Sequence, residues 1–267
     1  MQIRQIALDT ETTGLFPKEG NRIVQIAGIE IINGKATGKY YDTYINPERN
    51  SHPEALKVHG LTTKFLSDKP KFIEIVDEFL EFIEGAELII HNAPFDLGFL
   101  NHELNLINKP ELKNAIVDTR VIAQQLYSKE FLTTELISKQ LVEDEQLVQE
   151  QKAKSDSDQS LIAELVANSK FRVHSLDHLC QYFGINLSAR EKHHGALVDC
   201  ELLTQVYSHL KQEQVKHEIS KITHVAVPIE ASSNSSIVNV SIFQPDRIQT
   251  QELQVPEFQD KISMTNQ

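Results

Sequence analysis

Four acidic residues and one histidine in this 267-residue chain are spaced so that they could act together. Asp9 and Glu11 stand two apart in a stretch that alternates like a strand, so both carboxylates face one side. Two unneutralised carboxylates held close repel each other, and a bound divalent cation removes that cost. Thr12-Thr13-Gly14 follows, a turn whose free backbone lets a substrate approach closely. Asp96 comes just after the apolar run ELIIH (87–91), at the start of an expected helix. Asp199 falls in the first turns of another helix, with His194 just before it. Taken singly, Asp96 reads as well as a first-turn residue favoured by the helix dipole. Asp199 alone reads as a solvated helix residue, and His194 alone as a helix-entry histidine. Asp9 and Glu11 together have few such plain explanations. The joint pattern points to a metal centre, and hard oxygen ligands without cysteine favour Mg²⁺ or Mn²⁺ over zinc.

The elements that must position these residues are legible from periodicity. Residues 3–9 alternate, with Ile6 and Leu8 pointing one way and Ala7, Asp9 and Glu11 the other. The stretch 22–32 alternates again, Asn33-Gly34 is a hairpin signal, and 40–45 reads as the returning strand. Short buried strands are expected at 87–91 and 115–117. Helices are expected at 53–59, 70–84, 95–106, 118–127, 175–183 and 195–210, with Gly85 and Gly184 as stops. Three strands followed by alternating helices and strands predict an α/β layer fold with a mixed sheet.

Two regions stand outside that pattern. Residues 128–170 form an acidic, glutamine-rich interruption, read as a helical insertion with a linker at KAKSDSDQS and a short second helix at 161–166. After about Lys211 periodicity fades and the polar run ASSNSS appears. The tail reads as a linker with short segments such as 237–243, ordered only by a partner if at all. The expected division is therefore a catalytic domain at 1–211 and a partner-binding tail at 212–267.

Composition bounds the function. No apolar run reaches the roughly 18–20 residues of a membrane span, and the N-terminus leads straight into a strand, so no signal peptide is expected. Cys180 and Cys200 both sit in apolar helical patterns and read as buried thiols of a reducing compartment, which points to the cytoplasm. The net charge of −12 argues against a free-standing duplex-binding module. It suits an enzyme that grips only a strand end through metal ions.

Three motifs then carry a family resemblance: ALDTETTG (7–14), IIHNAPFDLGFL (89–100) and HHGALVD (193–199). In order, spacing and flanks the chain resembles the DEDDh exonucleases. Within them it resembles the family of epsilon proofreading subunits of bacterial DNA polymerase III. The flanks include RIVQIAGIEI (22–31), PEALKVHGLT (53–62) and SLDHLCQYFGI (175–185), and the likeness covers 1–127 and 171–210. It implies a ribonuclease-H-like fold with a five-stranded mixed sheet. It implies that Asp9, Glu11, Asp96 and Asp199 hold two divalent cations, Mg²⁺ or Mn²⁺, with Asp9 shared between them. His194, which directly precedes Gly-Ala-Leu, is implied as general base in preference to His193. Glu54 and His59 are implied to hold the terminal nucleotide, with Thr12 and Thr13 close to it; Asp9, Glu11 and Asp199 touch substrate through the metals. The implied activity is 3′→5′ hydrolysis of DNA to 5′-mononucleotides, correcting replication errors beside a polymerase. An RNA-directed relative and an inactive polymerase-binding scaffold are the competing readings. The implied partners are a single-stranded 3′ end of DNA, the catalytic subunit of the replicative polymerase, and other core subunits or the sliding clamp. QELQV (251–255) has only a faint likeness to a clamp-binding peptide.

Overall fold

A computed structural model describes residues 3–128, 131–132, 135, 173–190 and 194–224. Of the expected insertion only residues 128, 131–132 and 135 are described, the last three helical; the rest of it, the 237–243 segment and QELQV lie outside the described residues. Among the described residues a five-stranded sheet runs in the order β3-β2-β1-β4-β5. Strands β1 (Arg4–Thr12), β2 (Ile23–Ile32) and β3 (Lys35–Tyr44) pair antiparallel. Strands β4 (Glu87–Ile90) and β5 (Ile116–Asp118) continue the sheet in parallel with β1. This is the mixed sheet the sequence predicts. Asn33 and Gly34 turn the β2–β3 hairpin with φ of 54° and 75°, the left-handed pair that tight hairpins require.

Helices cover both faces. α3 (Phe72–Ile83) and α4 (Ala93–Leu106) pack on the face shown by Ile6, Leu8 and Ile26. α5 (Thr119–Leu126), α6 (Leu176–Phe183) and α7 (Ala196–His224) pack on the face shown by Ala7, Ile31 and Ile89. The short helices α1 (Pro53–His59) and α2 (Thr63–Leu66) precede α3. β2 is buried on both sides almost throughout. Its alternation records which helix layer each residue meets, and not a choice between core and water. Cys180 and Cys200 are free thiols buried in α6 and α7.

β1 runs further than expected, through Thr12, so Glu11 is held by the sheet as firmly as Asp9. α7 runs fourteen residues past Leu210, and Lys211 and Gln212 lie within it. The added turns through Ser220 are largely exposed, and their apolar residues Val215 and Ile219, four apart, stand 53% and 56% exposed instead of packing on the core. Good helix formers and a Lys216–Glu213 ion pair of 2.7 Å sustain them. No helix among the described residues is long and apolar enough to cross a membrane.

Candidate active site

The β1–β2 register sets the site. Asp9 stands opposite Ala27 and Glu11 opposite Gln25, so the side chains of each pair lie on one face. The same two β2 residues hold the first turn of α7. The Ala196 N–H donates to Gln25 Oε1 at 3.2 Å, and the Cys200 thiol donates to the Ala27 carbonyl at 3.3 Å. Asp199, between those anchors, is thereby brought over Asp9 and Glu11. A register shift between Glu11 and Thr12 precedes the last pair of the ladder, Thr12 with Ile23, beside the cleft.

Oxygens of Asp9, Glu11 and Asp199 lie within 4.8 Å of one another. At that spacing each pair of charges repels by about 3 kcal/mol at an effective dielectric near 20. Burial first, then the charges of Asp199, Asp96 and Glu11, raise Asp9 well above the usual carboxylate range, with Arg190 pulling it down. Burial and then Asp199 push Glu11 up to about 8, again against Arg190. Asp199 is raised to about 6 by burial, with Arg190 opposing. Asp199 Oδ1 is buried without an aligned hydrogen bond. Three converging carboxylates and an oxygen-only donor set fit a divalent cation.

Asp96 reaches the sheet from the other face. Its Oδ1 accepts from the Thr10 N–H at 3.0 Å and the Thr10 hydroxyl at 2.7 Å. It is buried and raised to about 7 by that burial, with the Thr10 bonds opposing. Asp96 therefore adjoins the trio through β1, and its charge helps raise Asp9 and Glu11, but it is not one of the three converging groups. Asp118 fixes its helix. That carboxylate accepts from the N–H groups of Asn92 and Ala93 at 3.1 and 2.9 Å, and from Arg120 of its own helix at 2.9 Å. One side chain so caps α4 and α5 together.

His194 lies half-buried before α7, its N–H donating to the Val58 carbonyl at 3.0 Å. Burial, and then the nearby Arg190 guanidinium, bring its imidazole down to about 4, so the ring is neutral at physiological pH. His193 lies outside the described residues. Arg190 was not among the residues the sequence singled out. It contacts Asp177, Asp199 and His194. A lone arginine in a polar stretch, LSAREK, gives no periodic or motif signal.

A cleft of about 440 Å³ opens beside the carboxylates, lined by Glu11, Thr12, Glu54, His59 and Phe95 among others. His59 Nδ1 accepts from the Leu61 N–H at 2.9 Å, which places the proton of the neutral ring on Nε2. Thr12 reaches the cleft, while Thr13 does not line it. Thr13 is fully buried and braces the loop: its N–H donates to the Arg22 carbonyl at 2.8 Å, and its hydroxyl accepts from the Arg22 N–H at 3.0 Å. Gly14 has an internal reason too. A Cβ there would lie 2.5 Å from the His52 ring and 2.6 Å from Asn21 Oδ1, so the close approach it permits is by the protein's own side chains. Leu15 and Phe16, also unforeseen, stand 69% and 57% exposed at the rim.

This fold and site are those of an exonuclease, and the exonuclease family model matches residues 6–165. The epsilon subunit of DNA polymerase III from Rickettsia typhi is 35% identical over 272 residues, covering 97% of each chain. That of Rickettsia felis is 41% identical over 213 residues, covering 78% of this chain and 74% of its own. The chain belongs to the family of DNA polymerase III epsilon subunits. Among solved structures, a complex of Escherichia coli exonuclease I with single-stranded DNA shares the fold. Its TM-score is 0.57 at 16% identity, over 84% of this chain and 43% of that one.

Proposed function

We infer that this chain is the 3′→5′ proofreading exonuclease of a bacterial replicative DNA polymerase, working in the cytoplasm. The observation that carries the chemistry is the convergence of Asp9, Glu11 and Asp199 beside a neutral histidine and an open cleft. Asp9, Glu11 and Asp199 hold a divalent cation, Mg²⁺ or Mn²⁺, and Asp96 supports a second. When bound, such cations neutralise charge on the scissile phosphate and lower the pKa of water. His194 takes the proton of the attacking water on a ring nitrogen, its neutral form being the one that can accept it. The water oxygen bonds to phosphorus as the P–O3′ bond breaks, and the departing O3′ takes a proton from solvent water, leaving a 5′-mononucleotide and a shortened strand with a 3′ hydroxyl.

The cleft supports single-strand binding. Glu54 and His59 on α1 line the cleft, and in this reading they hold the terminal nucleotide, with Thr12 of β1 beside it. Phe95, Leu15 and Phe16 offer apolar surface to the base, a contact that tolerates any sequence. Selectivity for errors then comes from fraying, since a mispaired end leaves the duplex more readily. With a net charge of −12, the grip on duplex falls to the polymerase. Family membership supports that partnership, with the part of the expected 212–267 tail that lies beyond α7 as the docking region and other core subunits or the sliding clamp as further contacts.

The test is cleavage of single-stranded DNA by the full chain with Mg²⁺ or Mn²⁺, beside a matched RNA strand. Asp9→Ala should abolish cleavage. His194→Ala should lower the rate by about 10²–10⁴-fold with the fold kept, while His193→Ala stays active. Equal digestion by wild type and Asp9→Ala removes the site from contention, and faster cleavage of RNA redirects the substrate. For docking, the full chain but not residues 1–224 should capture the polymerase catalytic subunit; equal capture by both would exclude the tail.

A further inference from the structure

The geometry points to a latch: we propose that Arg190 closes the cation-free centre by occupying Asp199 and His194 at once, and leaves both when a cation loads. This rests on the reading of Asp199 as a cation ligand and His194 as the base.

Arg190 ends a short helical turn, Ser188–Arg190, and its side chain is only 11% exposed. Its Nη2 donates to Asp199 Oδ2 at 2.7 Å and lies 2.8 Å from His194 Nδ1. Its Nε sits 2.7 Å from Asp199 Oδ1, an ion-pair contact without hydrogen-bond alignment. Nη1 is paired with Asp177 in the first turn of α6.

Two consequences make this contact obstructive. The guanidinium covers both oxygens of Asp199 and carries the same sign of charge as the expected cation, so the two compete for one ligand. Arginine also has only donors. Nδ1 of His194 must therefore present its lone pair to Arg190, which puts the proton of the neutral ring on Nε2. A neutral imidazole has one such lone pair, so a latched His194 has none left to accept a proton from water. One side chain withholds a ligand and the base together. Asp177 lies outside the converging trio and is 44% exposed, so it can keep its hold on Arg190 while Asp199 is given up. Cation loading and the arming of His194 then become one event.

The experiment uses the full chain, with ¹⁵N imidazole spectra followed through a Mg²⁺ titration and Mn²⁺ affinity measured by calorimetry. In cation-free wild type, His194 should be the Nε2–H tautomer with a hydrogen-bonded Nδ1, and Mg²⁺ should release Nδ1. Arg190→Gln should show the released ring without Mg²⁺ and bind Mn²⁺ more tightly, on the order of tenfold, as for two ligands competing through one group. Arg190→Lys keeps the charge but lacks the fork that spans three partners. It should also free the ring, which separates the latch from simple charge repulsion and carries the test if Arg190→Gln folds poorly. Unchanged His194 signals in both variants, or Mn²⁺ binding no tighter than wild type, overturn the latch. Asp199→Asn should weaken Mn²⁺ binding in either background; if it does not, the metal reading fails first and the latch with it.

Discussion

At the scale of single residues, the crowded carboxylates make folding depend on pH in a direction opposite to ordinary acid denaturation. A carboxyl raised in the folded state takes up protons on folding. Its stabilising contribution is complete below the unfolded value and lost as pH rises through the folded one. Glu11 sets that window from 4.5 to about 8, and Asp96 and Asp199 fall away by about 7 and about 6. His91 and His194, both held down to about 4, run the other way and lose stability as pH falls below 6.5. From about pH 7.5 to 8.5 the histidines are essentially neutral in both states, so the acids set the slope. One proton is worth about 1.4 kcal/mol per pH unit, discounted here because the neighbouring carboxylates titrate together. The cation-free protein should lose a few degrees of Tm across that range, and saturating Mg²⁺ should flatten the loss. Thermal unfolding in EDTA and in Mg²⁺ checks this; a Tm that climbs with pH in EDTA contradicts it.

At the scale of elements, Asp118 joins two helix N-termini to one carboxylate, so it positions Asp96 from a distance. Asp118→Ala should destabilise the protein by about 1–2 kcal/mol, the usual worth of a cap. It should also lower cleavage more than that loss explains, because the start of α4 carries Asp96. A Tm equal to wild type would show the shared cap to be incidental. Much of this level is legible in the sequence. Alternation on β1 gives the common face of Asp9 and Glu11, and Asn33-Gly34 gives the hairpin that fixes the β2 register. The stretch of α7 beyond Leu210 is hard to read, because Val215 and Ile219, though at helical spacing, stand isolated among polar residues and stay exposed. So is Arg190, whose role depends on α6, α7 and the β-sheet meeting around it. Thr13 and Gly14 read as substrate contacts because the turn was visible, whereas their partners Arg22, Asn21 and His52 are met only in the fold.

At the scale of the whole molecule, a chain of net charge −12 that cleaves a negative polymer needs cations to bring the two together. The sheet concentrates four acids at one end of β1, and the helices on both faces keep that end rigid. The same enclosure has a further consequence for the two thiols. Cys180 and Cys200 are the only cysteines in the chain, and both are sealed within the helix layers behind the site. Burial pushes Cys180 up to about 12 and Cys200 well above its ordinary value, so neither exists as a reactive thiolate in the folded state. An alkylating reagent can reach them only when those layers part. Labelling under native conditions therefore counts openings of the core, and the protein carries its own clock for how often it comes apart.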